Sequence, residues 1–193
     1  MADFHLETER LIIRNWCEED RGLFYVINSD DRVMEFFPFR RDRAASDHMM
    51  DRVRTGIQEK GYGFTAIALR ETNEAIGFCG LADVTAEDDF TEEEIEIGWR
   101  LASQYWGKGY VTEAAERLLK FGFETLDLDE IVSFAVHNNH RSLAVMQRIG
   151  MIRDPERDFD HSVVPDTHPE LKHHHVYTIT REAYLSREEN QQD

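Results

Sequence analysis

The sequence predicts one mixed α/β domain over residues 1–193, with a largely antiparallel front half. Three observations predict it. Two apolar runs, "YGFTAIAL" and "EAIGFCGL", flank the turn signal "RETN" and read as a hairpin. Four stretches carry apolar residues at helical spacing, so helices are interleaved with strands. Finally, 193 residues with 41% hydrophobic content suffice for one sizeable core, and no repeat, linker or low-complexity segment divides them.

Taken in order, "RLIIRNW" (Arg10 to Trp16) reads as the first strand, partly alternating and partly a continuous apolar run. In "EEDRGLFYVINS", Leu23, Phe24 and Ile27 fall at helical spacing. "VMEFFPFR" is an aromatic connection in which Pro38 disfavours helix. "AASDHMMDRVRTGIQEKG" puts Met49, Met50, Val53 and Ile57 on one stripe, with Gly61 near the stop. The hairpin follows. The acidic run "TAEDDFTEE" reads as a solvated loop rather than a metal site, and "EEIEIGWRL" alternates as a strand. After Gly109, Val111, Ala114, Ala115, Leu118, Gly122 and Leu126 share a helical face. "EIVSFAV" is a strand, and "HNNHRSLAVMQRIG" is a helix stopped by Gly150. "MIRDPERDF" begins another strand, and "HHHVYTITREAY" is the last. The order is β-α-α-β-β-β-α-β-α-β-β.

Composition narrows the function. No apolar run approaches the ~20 residues needed to span a bilayer, so no membrane partner is expected. The opening "MADFHLETERLIIRNW" lacks the basic-then-apolar pattern of a signal peptide, which leaves the cytoplasm as the expected compartment. The formal charge of −17, from 39 acidic and 22 basic residues, argues against nucleic acid, which needs clustered Lys and Arg. Such acidity suits a cationic substrate such as an amine, or serves solubility alone. Cys17 and Cys79 lack metal-ligand spacing and read as two buried thiols in a reducing compartment.

The most informative stretch is "SQYWGKGYVTEAAERLL". A helix opens directly on a turn holding Gly107 and Gly109. Helix N-termini present unpaired N–H groups and a positive dipole end, and glycines let backbone approach a phosphate closely. Strand, turn and helix together make a phosphate cradle, to which Lys108 adds charge and Thr112 a hydroxyl. The spacing is neither GxxxxGK[ST] nor GxGxxG. On spacing alone, an anion site and a tight turn without ligand stand equal.

Further residues decide between them. "QYWGKG" resembles the Q/R-x-x-G-x-G/A signature of the GCN5-related N-acetyltransferase (GNAT) family. "ETERLIIRNWCEED", "EIEIGWRL", "WGKGYVTEAA" and "NNHRSLAVMQRIGMI" resemble its RimJ/RimL-like branch, and "FDHSVVPDTHPELKHHHVYTI" a tail seen in uncharacterised members. The likeness covers nearly the whole chain. It implies a mostly antiparallel sheet with helices on both faces and a splayed parallel strand pair forming a cofactor cleft. It also implies an acetyl-CoA-dependent N-acetyltransferase acting on a small-molecule amine or a protein N-terminus. A coenzyme A sensor without catalysis is the alternative from another class. Dimers are common in the family, so a homodimer is an expectation with no interface identified.

Carried over residue by residue, the resemblance implies a cofactor site of Trp99, Arg100, Leu101, Gln104, Trp106, Gly107, Lys108, Gly109, Tyr110, Val111, Thr112, Asn139 and Ser142. The backbone at Trp99 and Leu101 pairs with the pantetheine arm, and N–H groups of 104–110 hold the pyrophosphate. Asn139 reaches the pantetheine or acetyl end, caps its own helix, or does both. Glu96 matches the family's "EIG" glutamate and is the base candidate, against a reading as a plain strand carboxylate. Many members protonate the departing thiolate with a tyrosine, which "HNNHRSLAVMQRIG" lacks. Ser142 at the N-x-x-S position is the natural substitute, against a hydroxyl bonded to backbone. Phe36, Phe37, Glu96 and His174 are the acceptor-site candidates. No metal is expected: alternation in "HHH" places His173 and His175 on one side and His174 on the other, so the three do not converge.

Overall fold

The structure, a computed structural model, describes residues 4–84 and 94–192, with side chains to Glu189. The acidic run 85–93 lies outside the described residues. The chain forms two compact units. One comprises the chain up to Ala82 with Gly98–Arg117, the other Asp83–Ile97 with Leu118 onward.

In the first unit, β1 (His5–Glu7), β2 (Leu11–Arg14), β3 (Phe64–Leu69) and β4 (Ala75–Asp83) form an antiparallel meander. Helices α1 (Arg21–Ser29) and α2 (Arg43–Lys60) intervene between β2 and β3. Local chemistry sets the ends of α2. The Asp42 carboxylate accepts from Ala45 N–H at 2.8 Å, and Gly61 ends the helix at φ 79°, a left-handed conformation glycine adopts freely. The expected stripe packs inward, with Phe24, Ile27, Met50 and Ile57 meeting Trp16, Ala66 and Phe78 in one core cluster. Burial of each large side chain there contributes about 1.5–3 kcal/mol. Gly80 marks the tightest approach, since a Cβ on it would sit 1.9 Å from the carbonyl oxygen of Gly63, the residue just before β3.

Strand β5 (Ile95–Leu101) belongs to both units. Its end lies against β4, where Ala102 N–H donates to Ile76 O at 3.0 Å. Its start, in the second unit, pairs parallel with β6 (Glu130–Val136), and the register is carried by Glu96 opposite Val132. One residue on, the buried Ser133 hydroxyl donates to Ile97 O at 2.8 Å. A side chain thus satisfies the carbonyl just past the paired position. On its other side β6 runs antiparallel to β9 (His173–Thr180), from Glu130 opposite Thr180 to Val136 opposite His174. The far edge of β9 carries β7 (Ile152–Arg153) and β8 (Phe159–Asp160). Helix α3 (Tyr110–Glu124) follows the glycine turn, and α4 (His140–Arg148) follows β6. The mixed, mostly antiparallel α/β fold with one parallel pair is the expected one.

The structure corrects several details. β1 precedes the expected first strand. The last strand stops at Thr180, and "REAY" opens helix α5 (Arg181–Gln192), where the Thr180 hydroxyl accepts from Ala183 N–H at 3.2 Å. "MIRDPERDF" is not one strand, because Pro155 starts a short 3-10 turn that Asp154 caps and so separates β7 from β8. Helix α3 ends before Leu126. Cys79 is buried as expected, but Cys17 is only half-buried. Burial and the neighbouring Asp20 carboxylate, to which its thiol donates at 3.1 Å, push the Cys17 thiol up to about 11.

Candidate acetyl-coenzyme A site

Between β5 and α3 the turn is shaped by two left-handed glycines, Gly107 at φ 74° and Gly109 at φ 80°. A side chain costs about 1–2 kcal/mol per residue in that conformation. Space is not the constraint. A Cβ on Gly107 would meet nothing within 4 Å, and one on Gly109 only the Arg10 guanidinium at 3.4 Å. Gln104 and residues 107–109 are exposed, while Tyr110, Val111 and Thr112 in the first turn of α3 are half-buried. The first N–H groups of a helix lack partners within it, so the turn offers donors on an open face.

The rest of the turn is pinned. Trp106 Nε1–H donates to Leu101 O at 2.8 Å, tying the turn to the end of β5. Tyr105 O–H donates to Glu74 at 2.9 Å, and the Lys108 ammonium lies 5.4 Å from the Tyr105 ring centroid. Arg10 adds a brace that sequence reasoning missed. Its guanidinium donates to Lys108 O at 2.9 Å and to Glu113 at 2.6 Å, and it lies over the Tyr110 ring at 4.8 Å. Glu113 also accepts from Thr8 Oγ1 at 2.6 Å and from Arg10 N–H at 2.9 Å. No local signal joins Arg10 to Glu113, since 103 residues separate them.

Burial alone would raise the Glu113 carboxyl, but the hydrogen bonds from Thr8 and Arg10 outweigh it and hold the group below the usual carboxylate range. A depressed folded-state value means that ionised Glu113 stabilises above the unfolded pKa of about 4.3, and that this contribution disappears as pH falls through the folded value. Glu113→Gln is therefore expected to lower stability at pH 7 by about 1–2 kcal/mol. Below about pH 4 the gap to wild type closes. Denaturant melts across pH 3–7 check this, and a gap that stays constant with pH contradicts it.

The Arg100 side chain turns to the aromatic connection. Its guanidinium lies 4.3 Å from the Phe37 ring centroid and 5.4 Å from that of Phe78, and it donates to Asn28 Oδ1 at 2.6 Å. Its buried Nε has no hydrogen-bond partner among the described residues. Burial, with Arg41 nearby, pushes it down to about 9, still a cation at neutral pH. Arg100 thus fixes Phe37, and only its backbone remains to serve a cofactor. Phe36 and Trp99 are half-buried.

The second unit holds the remaining candidates. Glu96 is half-buried on β5. Asn139 caps α4, its Oδ1 accepting from Ser142 N–H at 3.2 Å, which leaves its amide N–H donors for another partner. Ser142 is half-buried, and its hydroxyl makes no hydrogen bond among the described residues. His174 is buried, stacked on Phe159 at 5.3 Å and edge-on to His161 at 5.1 Å, and its Nδ1–H donates to Lys172 O at 2.7 Å. It sits in an aromatic nest, facing away from His173 and His175.

The glycine turn and its strand and helix lie within the region that matches the acetyltransferase (GNAT) domain family, residues 10–152. The chain belongs to the GNAT acetyltransferase family. An uncharacterised N-acetyltransferase, p20 of Bacillus licheniformis, is 31% identical over 160 residues, 79% of this chain and 87% of that one. The FsC-acetyl coenzyme A-N(2)-transacetylase of Aspergillus fumigatus is 29% identical over 188 residues, 93% of this chain and 77% of that one. A solved GNAT-family acetyltransferase from Bacillus anthracis superposes with a TM-score of 0.76 at 26% identity, covering 92% of this chain and 99% of its own. This GNAT protein is an acetyl-CoA-dependent acyltransferase.

Proposed function

We propose that this GNAT protein is an N-acetyltransferase of the RimJ/RimL-like branch. It moves the acetyl group to a primary amine by direct attack, with a protein N-terminal α-amine as the leading acceptor. One observation carries the reading: the exposed turn with left-handed Gly107 and Gly109 opening α3, which suits a pyrophosphate. Acetyl-coenzyme A supplies an activated acetyl thioester. N–H groups of Gln104 and of 107–110 hold its pyrophosphate, since Tyr105 and Trp106 N–H already donate to Ala102 O at 3.0 Å and Ser103 O at 3.3 Å, and the backbone of Trp99 and Leu101 with the Asn139 amide orient its arm.

The acceptor must be neutral to attack. An α-amine with a pKa near 7.7 is about one-sixth neutral at pH 7, whereas a lysine-like amine near 10.4 is neutral only about 0.04% of the time. Glu96 takes up the proton the amine loses, through a water. As the C–N bond forms and the C–S bond breaks, Ser142 donates a proton to the sulfur and recovers one from solvent. The lower base requirement supports the α-amine reading, as do "ETERLIIRNWCEED" and the N-x-x-S helix. A small-molecule cationic amine is the second reading, favoured by the chain's formal charge of −17.

The test is thiol release from acetyl-coenzyme A across peptides with different first residues, polyamines, amino acids and aminoglycosides. Turnover on peptides and loss of it when they are N-terminally blocked is the expected result. Turnover confined to small amines supports the second reading. Acetyl-coenzyme A binding with no turnover on any amine overturns both in favour of a sensor.

A further inference from the structure

The strand register assembles a second polar cluster in the second unit that acetyl transfer does not use. On β9, His173 and His175 project to one face, opposite to His174. The β8 register sets Asp160 opposite His173, which by continuation sets Asp158 opposite His175. On the other side of β9, His137 N–H donates to His173 O at 2.9 Å, one step beyond Val136 opposite His174. Three neighbouring chain segments therefore bring three imidazoles and two carboxylates to one face. Ring centroids lie 5.7 Å apart for His173 and His175, 6.0 Å for His137 and His173, and 6.1 Å for His137 and His175.

We propose that Asp158, His173 and His175, with His137 as the fourth ligand, form a binding site for one divalent cation of the Zn2+ class. One donor atom from each of the first three lies within 4.8 Å of the others. A tetrahedral Zn2+ with bonds of about 2.0–2.1 Å needs its ligands about 3.3 Å apart, a closure that rotation of half-buried and exposed rings supplies. His173 is already oriented for ligation. Its Nδ1 is paired with Asp160 Oδ1 at 2.9 Å, and its Nε2 faces Asp158 Oδ2 at 3.9 Å. A carboxylate behind the far ring nitrogen is the arrangement that fixes the tautomer and raises the basicity of a metal-bound histidine. The mix of imidazole and carboxylate suits borderline ions over Mg2+ or Ca2+.

The competing cation is Arg153, whose guanidinium spans both Asp158 oxygens at 2.7 and 2.5 Å. Val176 N–H also donates to Oδ1 at 3.0 Å. The metal takes the remaining lone pair of Oδ2, on the side facing His173, and Arg153 keeps Oδ1. The site rests on residues outside those proposed for acetyl transfer, so the two readings stand or fall separately.

Calorimetric titration of the full chain with ZnCl2 tests the site, with Co2+ absorption reporting coordination. One saturable equivalent is expected, with visible Co2+ bands of the four-coordinate kind. The double variant His173→Gln/His175→Gln is expected to lose the equivalent. Asp158→Asn and Asp160→Asn are each expected to weaken it by about tenfold or more. His48→Gln, at an exposed histidine of the first unit, leaves it unchanged, and far-UV circular dichroism verifies that each variant folds. Absence of saturable Zn2+ binding overturns the proposal. So does an equivalent that survives in the double variant, or binding that responds equally to His48→Gln, which marks adventitious capture by surface histidines.

Discussion

Replacing Ser142 with Ala is expected to lower kcat for acetyl transfer by about 100-fold while leaving the KM for acetyl-coenzyme A nearly unchanged. Proton transfer by a positioned side chain contributes about 10²–10⁴ to rate. The low end applies because a thiol with a pKa near 8.5 leaves tolerably without help. The same reasoning sets the pH dependence: the deficit shrinks as pH rises past the thiol value, where the free thiolate is the stable product. In the fold, Ser142 is a half-buried residue on the first turn of α4 whose hydroxyl makes no hydrogen bond among the described residues, while Asn139 takes its N–H. Alanine keeps that N–H and is a better helix former, so stability should hold. Steady-state kinetics from pH 6 to 9 check both parts. Unchanged kcat, or a deficit that grows with pH, removes Ser142 from the proton-donor role.

The double variant Gly107→Ala/Gly109→Ala is expected to weaken acetyl-coenzyme A by about 50–100-fold. Each position needs φ near 75–80°, and each added Cβ costs about 1–2 kcal/mol there. A free turn relieves that strain by relaxing, whereas a turn wrapped on pyrophosphate cannot, so the cost falls on binding, at 1.4 kcal/mol per tenfold. Neither methyl meets a clash, since one has open space and the other only the flexible end of Arg10. Melting temperature therefore falls only by the φ strain that the unliganded turn keeps. Calorimetry with acetyl-coenzyme A and a thermal melt separate the two effects. A large loss of melting temperature without loss of affinity assigns the glycines to folding alone.

Most of the fold was legible because its signals are local. "RETN" between two apolar runs gave the β3–β4 hairpin, and 3.6-residue stripes gave the helices whose buried faces hold Phe24, Met50, Ala114, Ala115 and Leu118. Helix α5 escaped because its apolar face is thin. Tyr184 carries the packing, stacked on Phe123 at 5.0 Å, and the cap at Thr180 was the signal available. The glycine turn was legible as a strand-to-helix turn with left-handed glycines because its spacing and context sit within a dozen residues. The Arg10–Glu113 brace was not, since it joins chain segments 103 residues apart. The Asp158–His173–His175 face was hidden for a different reason. It depends on the pairing of β8, only two residues long, and so short a run announces no register. The sequence correctly denied convergence of three consecutive histidines; the residues that join two of them come from other segments.

The most direct test of the account is steady-state thiol release measured side by side for wild type, Gly107→Ala/Gly109→Ala and Ser142→Ala on one acceptor amine. The account predicts a split: the glycine variant raises the KM for acetyl-coenzyme A with kcat largely kept, and the serine variant lowers kcat with that KM kept. Equal KM values for wild type and the glycine variant, or a glycine variant that loses kcat alone, would contradict a turn that holds the donor's pyrophosphate.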